Sequence, residues 1–481
     1  MTLSSAAFAV HGFCVDTPDF GSLRGLGERR LVVVGKDGRI QQVEVGEAGA
    51  QRRALAAAGI PVRELGEKEL LVPGFIDTHI HLPQFPYTGA GIDKPLMAED
   101  GFLAKYAFPT ESSMANLDSA KYVYNEALKV LLTNGTTTAL IYGTTHLDAS
   151  KAMVEAALAL QGPRAFVGKV CADRYCPDAL VETTASSLRD TEDFVNFTQK
   201  VARQSPEEQK PPFLVQPVIT PRFLPTCSPE LLKGLGELAG KYNCIIQSHM
   251  SESVDEVAFS SQLFPGKTDA QAFDDFGLMR GPSVMGHCVQ LQKGEEELMR
   301  LRGAAIAHCP LSNFFFAKGA LPVKQLVARG VKIGLGTDVA GGYSPSMISS
   351  MRAAVLASKT LQFCHVPNGA LEKFGPADEQ KDGAEHDLNH FHALYLATLG
   401  GAKALHMEAL LGSFDAGKCF DAVLLIPSPV AQRLGASDDR EDMLQKIITL
   451  GDDRNVQEVF VNGRSVHKLE TPSAAQRGGY A

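Results

Sequence analysis

From residue 73 to about residue 403 the chain alternates short apolar runs with longer amphipathic stretches. Eight runs stand out, at residues 75–81, 136–142, 165–171, 213–220, 244–249, 283–288, 304–309 and 331–337. Runs that are apolar throughout, not only at alternate positions, predict strands buried on both faces. Helical stretches between them predict parallel pairing. Eight such units in succession predict an α/β fold, a (β/α)8 TIM-like barrel. One stretch shows the helical type. Ser228 reads as an N-cap and Pro229 as the first helical residue. Leu231, Leu232, Leu235, Leu238 and Ala239 make one apolar face, and Gly240 reads as the stop.

Both ends of the chain change rhythm. Residues 31–35 and 40–45 flank Asp37-Gly38, and residues 459–461 and 465–466 flank Asn462-Gly463. Each is a hairpin signal. Residues 420–426 read as a further strand. The expected organisation is a small β-sandwich module built from both termini, residues 1–72 and 404–481, around a barrel of residues 73–403.

Composition narrows the function. With 481 residues, 44% of them hydrophobic, the chain can bury a large core. A formal net charge of -9, with acids and bases mixed along the chain, argues against a nucleic-acid partner. Nine scattered cysteines without a C-x-x-C pair read as free thiols in a reducing compartment. No signal pattern or membrane-length apolar run is seen, so the expected location is cytoplasmic. A G-x-G-x-x-A match at residues 234–239 falls inside the amphipathic helix, not at a strand-to-helix turn, and is rejected as a dinucleotide site.

Chemistry in such barrels lies at the carboxyl ends of the strands. Run one ends in His79 and His81, whose side chains point the same way because they are two apart on a strand. Run five ends in His249, with Glu252 three residues on. Run six ends in His287, run seven in His308, and Asp338 follows run eight. The chain has 13 histidines, and five of them terminate these runs, which chance explains poorly. His308 precedes Pro310, which turns the chain away, and reads as structural. The remaining nitrogen and oxygen donors suit zinc, with iron or manganese as the other occupants. Asp338 could take a proton from water, Glu252 could carry protons to the substrate, and His287 could orient the water.

These residues resemble the metal-dependent amidohydrolase superfamily, and within it the guanine deaminase family. The resemblance is carried by residues 73–84, 106–111, 164–171, 220–223, 247–252, 306–310, 334–343 and 412–418. It implies one zinc ion per subunit on His79, His81, His249 and Asp338, with Glu252, His287 and Asp338 catalytic. It implies guanine as the small-molecule substrate, held by Gln84, Arg222 and Phe223, and a homodimer with no membrane or nucleic-acid partner. Other amino-substituted rings (an oxidised purine, a pterin, an aminotriazine) and a non-catalytic scaffold are the alternative functions. Superfamily members with two metals use a lysine at the end of strand four. Here Pro221-Arg222 stands there and Lys169 lies on strand three, so a single metal is expected. Residues 82–111, rich in Phe, Tyr and Pro and without a clear helical period, read as a loop covering the substrate. Residues 365–390 read as a polar surface insertion.

Overall fold

The computed structural model describes residues 5–204, 213–363, 386–428 and 431–469. Five strands precede the barrel: β1 (Ala6–Cys14), β2 (Arg30–Gly35), β3 (Ile40–Val45), β4 (Val62–Glu64) and β5 (Leu70–Pro73). The barrel strands are β6 (Phe75–His81), β7 (Thr136–Tyr142), β8 (Arg164–Cys171), β9 (Val215–Pro221), β10 (Ile245–Met250), β11 (Ser283–His287), β12 (Ala305–His308) and β13 (Lys332–Leu335). Three more follow: β14 (Ala422–Leu425), β15 (Val456–Val461) and β16 (Arg464–Lys468).

β6 to β13 pair in sequence order, each parallel to the next. β6, β7 and β8 are buried at every position, which is why apolar residues occur on both faces of each and not only at alternate positions. The sheet returns on itself. Thr78 Oγ1 donates to Leu335 O at 2.8 Å. Asp338 N donates to His79 O at 2.8 Å, and His81 N donates to Val339 O at 2.9 Å. The expected barrel is therefore present. Its eighth strand ends at Leu335, earlier than the run at 331–337 suggests, because the chain leaves the ladder while still lying beside β6.

The other strands form one sheet in the order β16-β15-β14-β5-β1-β2-β3, with β4 beside β1. β1 serves two halves: its first part pairs with β2, and Phe13 and Cys14 pair with β5. Val10, Val32, Leu71, Phe420 and Leu424 pack together between them. Both expected hairpins form. Asn462 and Gly463 both have positive φ, 50° and 75°, the turn that matches strand twist. The two turns touch. A Cβ on Gly38 would lie 2.1 Å from Asn462 O, so only glycine fits there.

The helix Pro229–Tyr242 starts as expected, with Ser228 Oγ accepting from Leu231 N at 3.1 Å. It runs past Gly240 to a left-handed Asn243, φ 51°. Asn tolerates that conformation and ends the helix in place of glycine. Residues 82–111 are not a plain loop. They hold a 3-10 helix (Leu82–Tyr87), a π-turn (Leu103–Ala107) and the start of a short helix (Phe108–Ser113). These turns are too short to show a period. The insertion expected at 365–390 falls outside the described residues up to 385; from His386 the chain is described, and His386 and His390 are buried. The described cysteines are free thiols. Among the described residues, no helix is long and apolar enough to cross a membrane.

Candidate active site

His79 and His81 end β6, His249 lies near the end of β10, His287 ends β11, and Asp338 follows β13. The fold brings these five to one spot at the barrel mouth. His79 Nε2 is 3.3 Å and His81 Nε2 is 3.6 Å from Asp338 Oδ1. His81 Nε2 and His249 Nε2 approach to 3.0 Å. Ligating atoms of His79, His81 and Asp338 lie within 4.8 Å of one another, as do those of His79, His249 and His287.

Close approach of backbone lets the His79 ring in. A Cβ on Gly286 would meet its Cε1 at 2.6 Å, and one on Gly336 would meet its Cβ at 2.7 Å. Ser251, His287, Cys288 and Asp338 all have positive φ, from 48° to 67°. A non-glycine residue in that region costs of order 1–3 kcal/mol, and such residues gather at functional sites.

Hydrogen bonds and burial set the protonation. His249 Nδ1 donates to Arg222 O at 2.7 Å, which leaves the lone pair on Nε2 facing His81. His287 Nδ1 donates to Asn313 Oδ1 at 3.0 Å, so its Nε2 also carries a lone pair. Burial pushes His79, His81 and His249 well below the ordinary histidine value, and the neighbouring rings push the same way. Neutral imidazole is the ligating form. His79 Nε2 is buried and has no hydrogen-bond partner among the described residues, although Asp338 is close. Three neutral imidazoles and a carboxylate fit a divalent cation of nitrogen and oxygen preference. Burial, and then the nearby Asp338, raise Glu252 well above the carboxylate range. Its Oε1 lies 3.7 Å from His287 Nε2, and Asp338 Oδ2 lies 3.9 Å from the same nitrogen.

Space of about 450 Å³, including an open mouth, lies above this cluster. Gln84, Arg222, Phe223, Glu252 and His287 line it, all of them expected at the site. The segment 82–111 supplies Leu96, Phe102 and Leu103 to the wall, and Phe102 meets Phe316 with ring centroids 4.6 Å apart. His308 is buried at the end of β12, pushed by burial down to about 3, and contributes no atom to either ligating group. Lys169 is held by Glu182 at 2.7 Å.

Sequence reasoning missed three residues. Asp77 Oδ1 accepts from His79 N and Thr337 N, and its Oδ2 accepts from Thr337 Oγ1, so it clamps the ends of β6 and β13 together. Asn313 fixes the His287 ring. Glu111 accepts from both Arg222 and Gln84. The only advance signal for Asp77 was an acid within an otherwise apolar run. Glu111 had none beyond its place in the segment 106–111.

The amidohydrolase family profile matches residues 70–466. A guanine deaminase of Dictyostelium discoideum is 38% identical over 408 residues, 84% of each chain. The guanine deaminase of Homo sapiens is 40% identical over 414 residues, again 84% of each. A crystal structure of guanine deaminase from C. acetobutylicum with bound guanine superposes with a TM-score of 0.81 at 30% identity, covering 96% of this chain and 100% of that one. A barrel with these strand-end histidines, matched over most of its length, makes this chain a member of the amidohydrolase family.

Proposed function

We propose that the chain is a guanine deaminase, converting guanine and water to xanthine and ammonia in purine breakdown. The observation that carries this reading is the convergence of His79, His81, His249 and Asp338 beneath a pocket walled by Gln84, Arg222 and Phe223. The named relatives support the substrate.

Those four ligands would hold one zinc ion per subunit, which supplies Lewis acidity and makes water nucleophilic near neutral pH. The chain's own groups then divide the work. Phe223 offers a flat face to the ring. Arg222 and Gln84 donate to its acceptor edge. The His287 Nε2 lone pair can accept a hydrogen bond from the attacking water and aim it at the amino-bearing carbon. Asp338 accepts the proton that water gives up. Glu252, kept protonated by burial, donates to the adjacent ring nitrogen; the proton held by Asp338 then passes to the amino group, the hydroxyl on the tetrahedral carbon gives its proton back to Glu252 as the new carbonyl forms, and ammonia leaves.

The same reading divides the chain into a barrel of residues 73–403 and a module of residues 1–72 and 404–481; the single sheet shared by both termini supports it. The scattered free cysteines support a cytoplasmic location, and a homodimer rests on the family resemblance alone.

The test is ammonia release from guanine by the metal-loaded protein. Glu252→Gln should keep its metal and lose about 10²–10⁴-fold in kcat. Full activity in that variant would remove Glu252 from the mechanism. Silence on guanine with turnover of a pterin, an oxidised purine or an aminotriazine would move the substrate.

A further inference from the structure

Glu111 is not among the residues that line the pocket, yet it touches two of the three proposed to hold the ring, Arg222 and Gln84. Its Oε2 accepts from Arg222 Nη1 at 2.5 Å, and its Oε1 accepts from Gln84 Nε2 at 2.8 Å. All three side chains are buried, at 2%, 4% and 3% exposure for Glu111, Arg222 and Gln84. On its other side, Gln84 Oε1 accepts from Ala340 N at 3.3 Å.

The identity of those partners fixes which way the Gln84 amide faces. A carboxylate only accepts and a backbone N–H only donates. Turning the amide over would set oxygen against the Glu111 carboxylate and N–H against the Ala340 N–H. Two repulsions would replace two hydrogen bonds, in a buried place where each costs most. The carbonyl of Gln84 is therefore committed to Ala340, and one of its two N–H groups to Glu111. What remains for a ligand is one N–H and the second lone pair of the carbonyl, both in a fixed orientation. From sequence, Gln84 reads as able to offer both donor and acceptor; the structure fixes where each of them points. Arg222 has five N–H groups and no acceptor. The Arg222 side of the wall can only donate.

We propose that Glu111 is a positioning residue that sets specificity: it holds the Gln84 amide in one orientation beside the donors of Arg222, so that this wall selects a 6-oxo ring over a 6-amino ring. The proposal rests on the guanine reading above. A 6-oxopurine offers acceptors at O6 and N7, whereas a 6-aminopurine puts an N–H donor in place of O6. Against this wall the amino group would face donors and leave them unpaired, and sites built on such pairing reject the wrong partner strongly.

The experiment compares guanine with 2,6-diaminopurine, which carries the same leaving amino group and differs in having a 6-amino group for the 6-oxo group and no hydrogen on N1. The unmodified holoenzyme should favour guanine by about a hundredfold or more in kcat/KM. Glu111→Gln supplies an N–H where only an acceptor stood, so the Gln84 amide is no longer held one way. The preference should fall roughly tenfold or more, mostly through a higher KM for guanine, with kcat within about threefold. A role confined to holding the fold would weaken both substrates equally; an unchanged ratio overturns the proposal. Should that variant not fold, Glu111→Asp keeps the charge but draws it back from both partners, and is read the same way. One measurement needs no variant: hypoxanthine should inhibit the unmodified protein roughly tenfold more tightly than adenine. Equal inhibition overturns the proposal. No turnover of guanine would sink the guanine reading instead, and the inhibitor ratio would still judge the wall.

Discussion

Two buried arginine–carboxylate pairs sit at opposite ends of the barrel, on neighbouring strands. At the floor, Arg164 opens β8 and its Nη2 lies 3.3 Å from Asp421 Oδ2, with the side chains 1% and 4% exposed. At the mouth, Arg222 follows β9 and pairs with Glu111, 5% and 2% exposed. By type and burial they are nearly alike. Their surroundings differ. Arg164 Nη1 donates to Phe213 O, and Asp421 Oδ1 accepts from Asn462 N, so the floor pair is tied to backbone and joins the barrel to the terminal sheet. Arg222 lines the pocket and keeps donors turned toward it. A buried ion pair is thus not a functional signal in itself; uncommitted hydrogen-bonding capacity facing a cavity is.

The comparison breaks most cleanly on alanine substitution. Arg164→Ala leaves Asp421 buried without its cation, and should cost about 3–5 kcal/mol in denaturant unfolding while leaving the KM for guanine unchanged. Arg222→Ala should do the reverse. It should raise that KM roughly tenfold or more and cost about 1–2 kcal/mol, because water from the pocket can reach Glu111. If both variants lose stability alike and neither moves KM, the distinction between floor and mouth is wrong.

A smaller effect concerns pH. Protons compete with a metal by charging its imidazole ligands and neutralising the Asp338 carboxylate, so falling pH removes metal. Burial lowers His79, His81 and His249 well below 6.5, which delays that loss. Metal content after dialysis should stay flat down to about pH 6 and fall only at more acid pH. Loss beginning near 6.5 would mean the mouth is wetter than the burial indicates. The smallest effect is expected at Ser228, close to the mouth in sequence but turned away from the pocket. Its hydroxyl caps a helix and donates to Asp173. Ser228→Ala should cost about 1 kcal/mol with KM unchanged.

What could be read from the chain follows the same division. β6 and β7 have the bounds that the apolar runs predict, because strands covered on both faces leave a continuous apolar record. Asn462-Gly463 predicts its turn because the backbone there needs two positive φ angles. The ligands were legible because histidine is scarce and strand ends are countable. Other features depend on partners distant in sequence. Glu111 meets Arg222 across 111 positions, and Asp77 meets Thr337 across 260. No local pattern announces such pairs. The turns of residues 82–111 stayed hidden because they are held by packing against Phe316, not by a period of their own.

The nested order of strands has a consequence for biosynthesis. β5 needs β1 on one side and β14 on the other, and β14 emerges from the ribosome only after the entire barrel. Until then β5 presents a bare apolar edge, a template for pairing with another chain. A nascent chain stalled short of residue 422 would carry the clustered histidines and Asp338 yet expose that edge, so premature termination late in translation should yield aggregates, not a shortened enzyme.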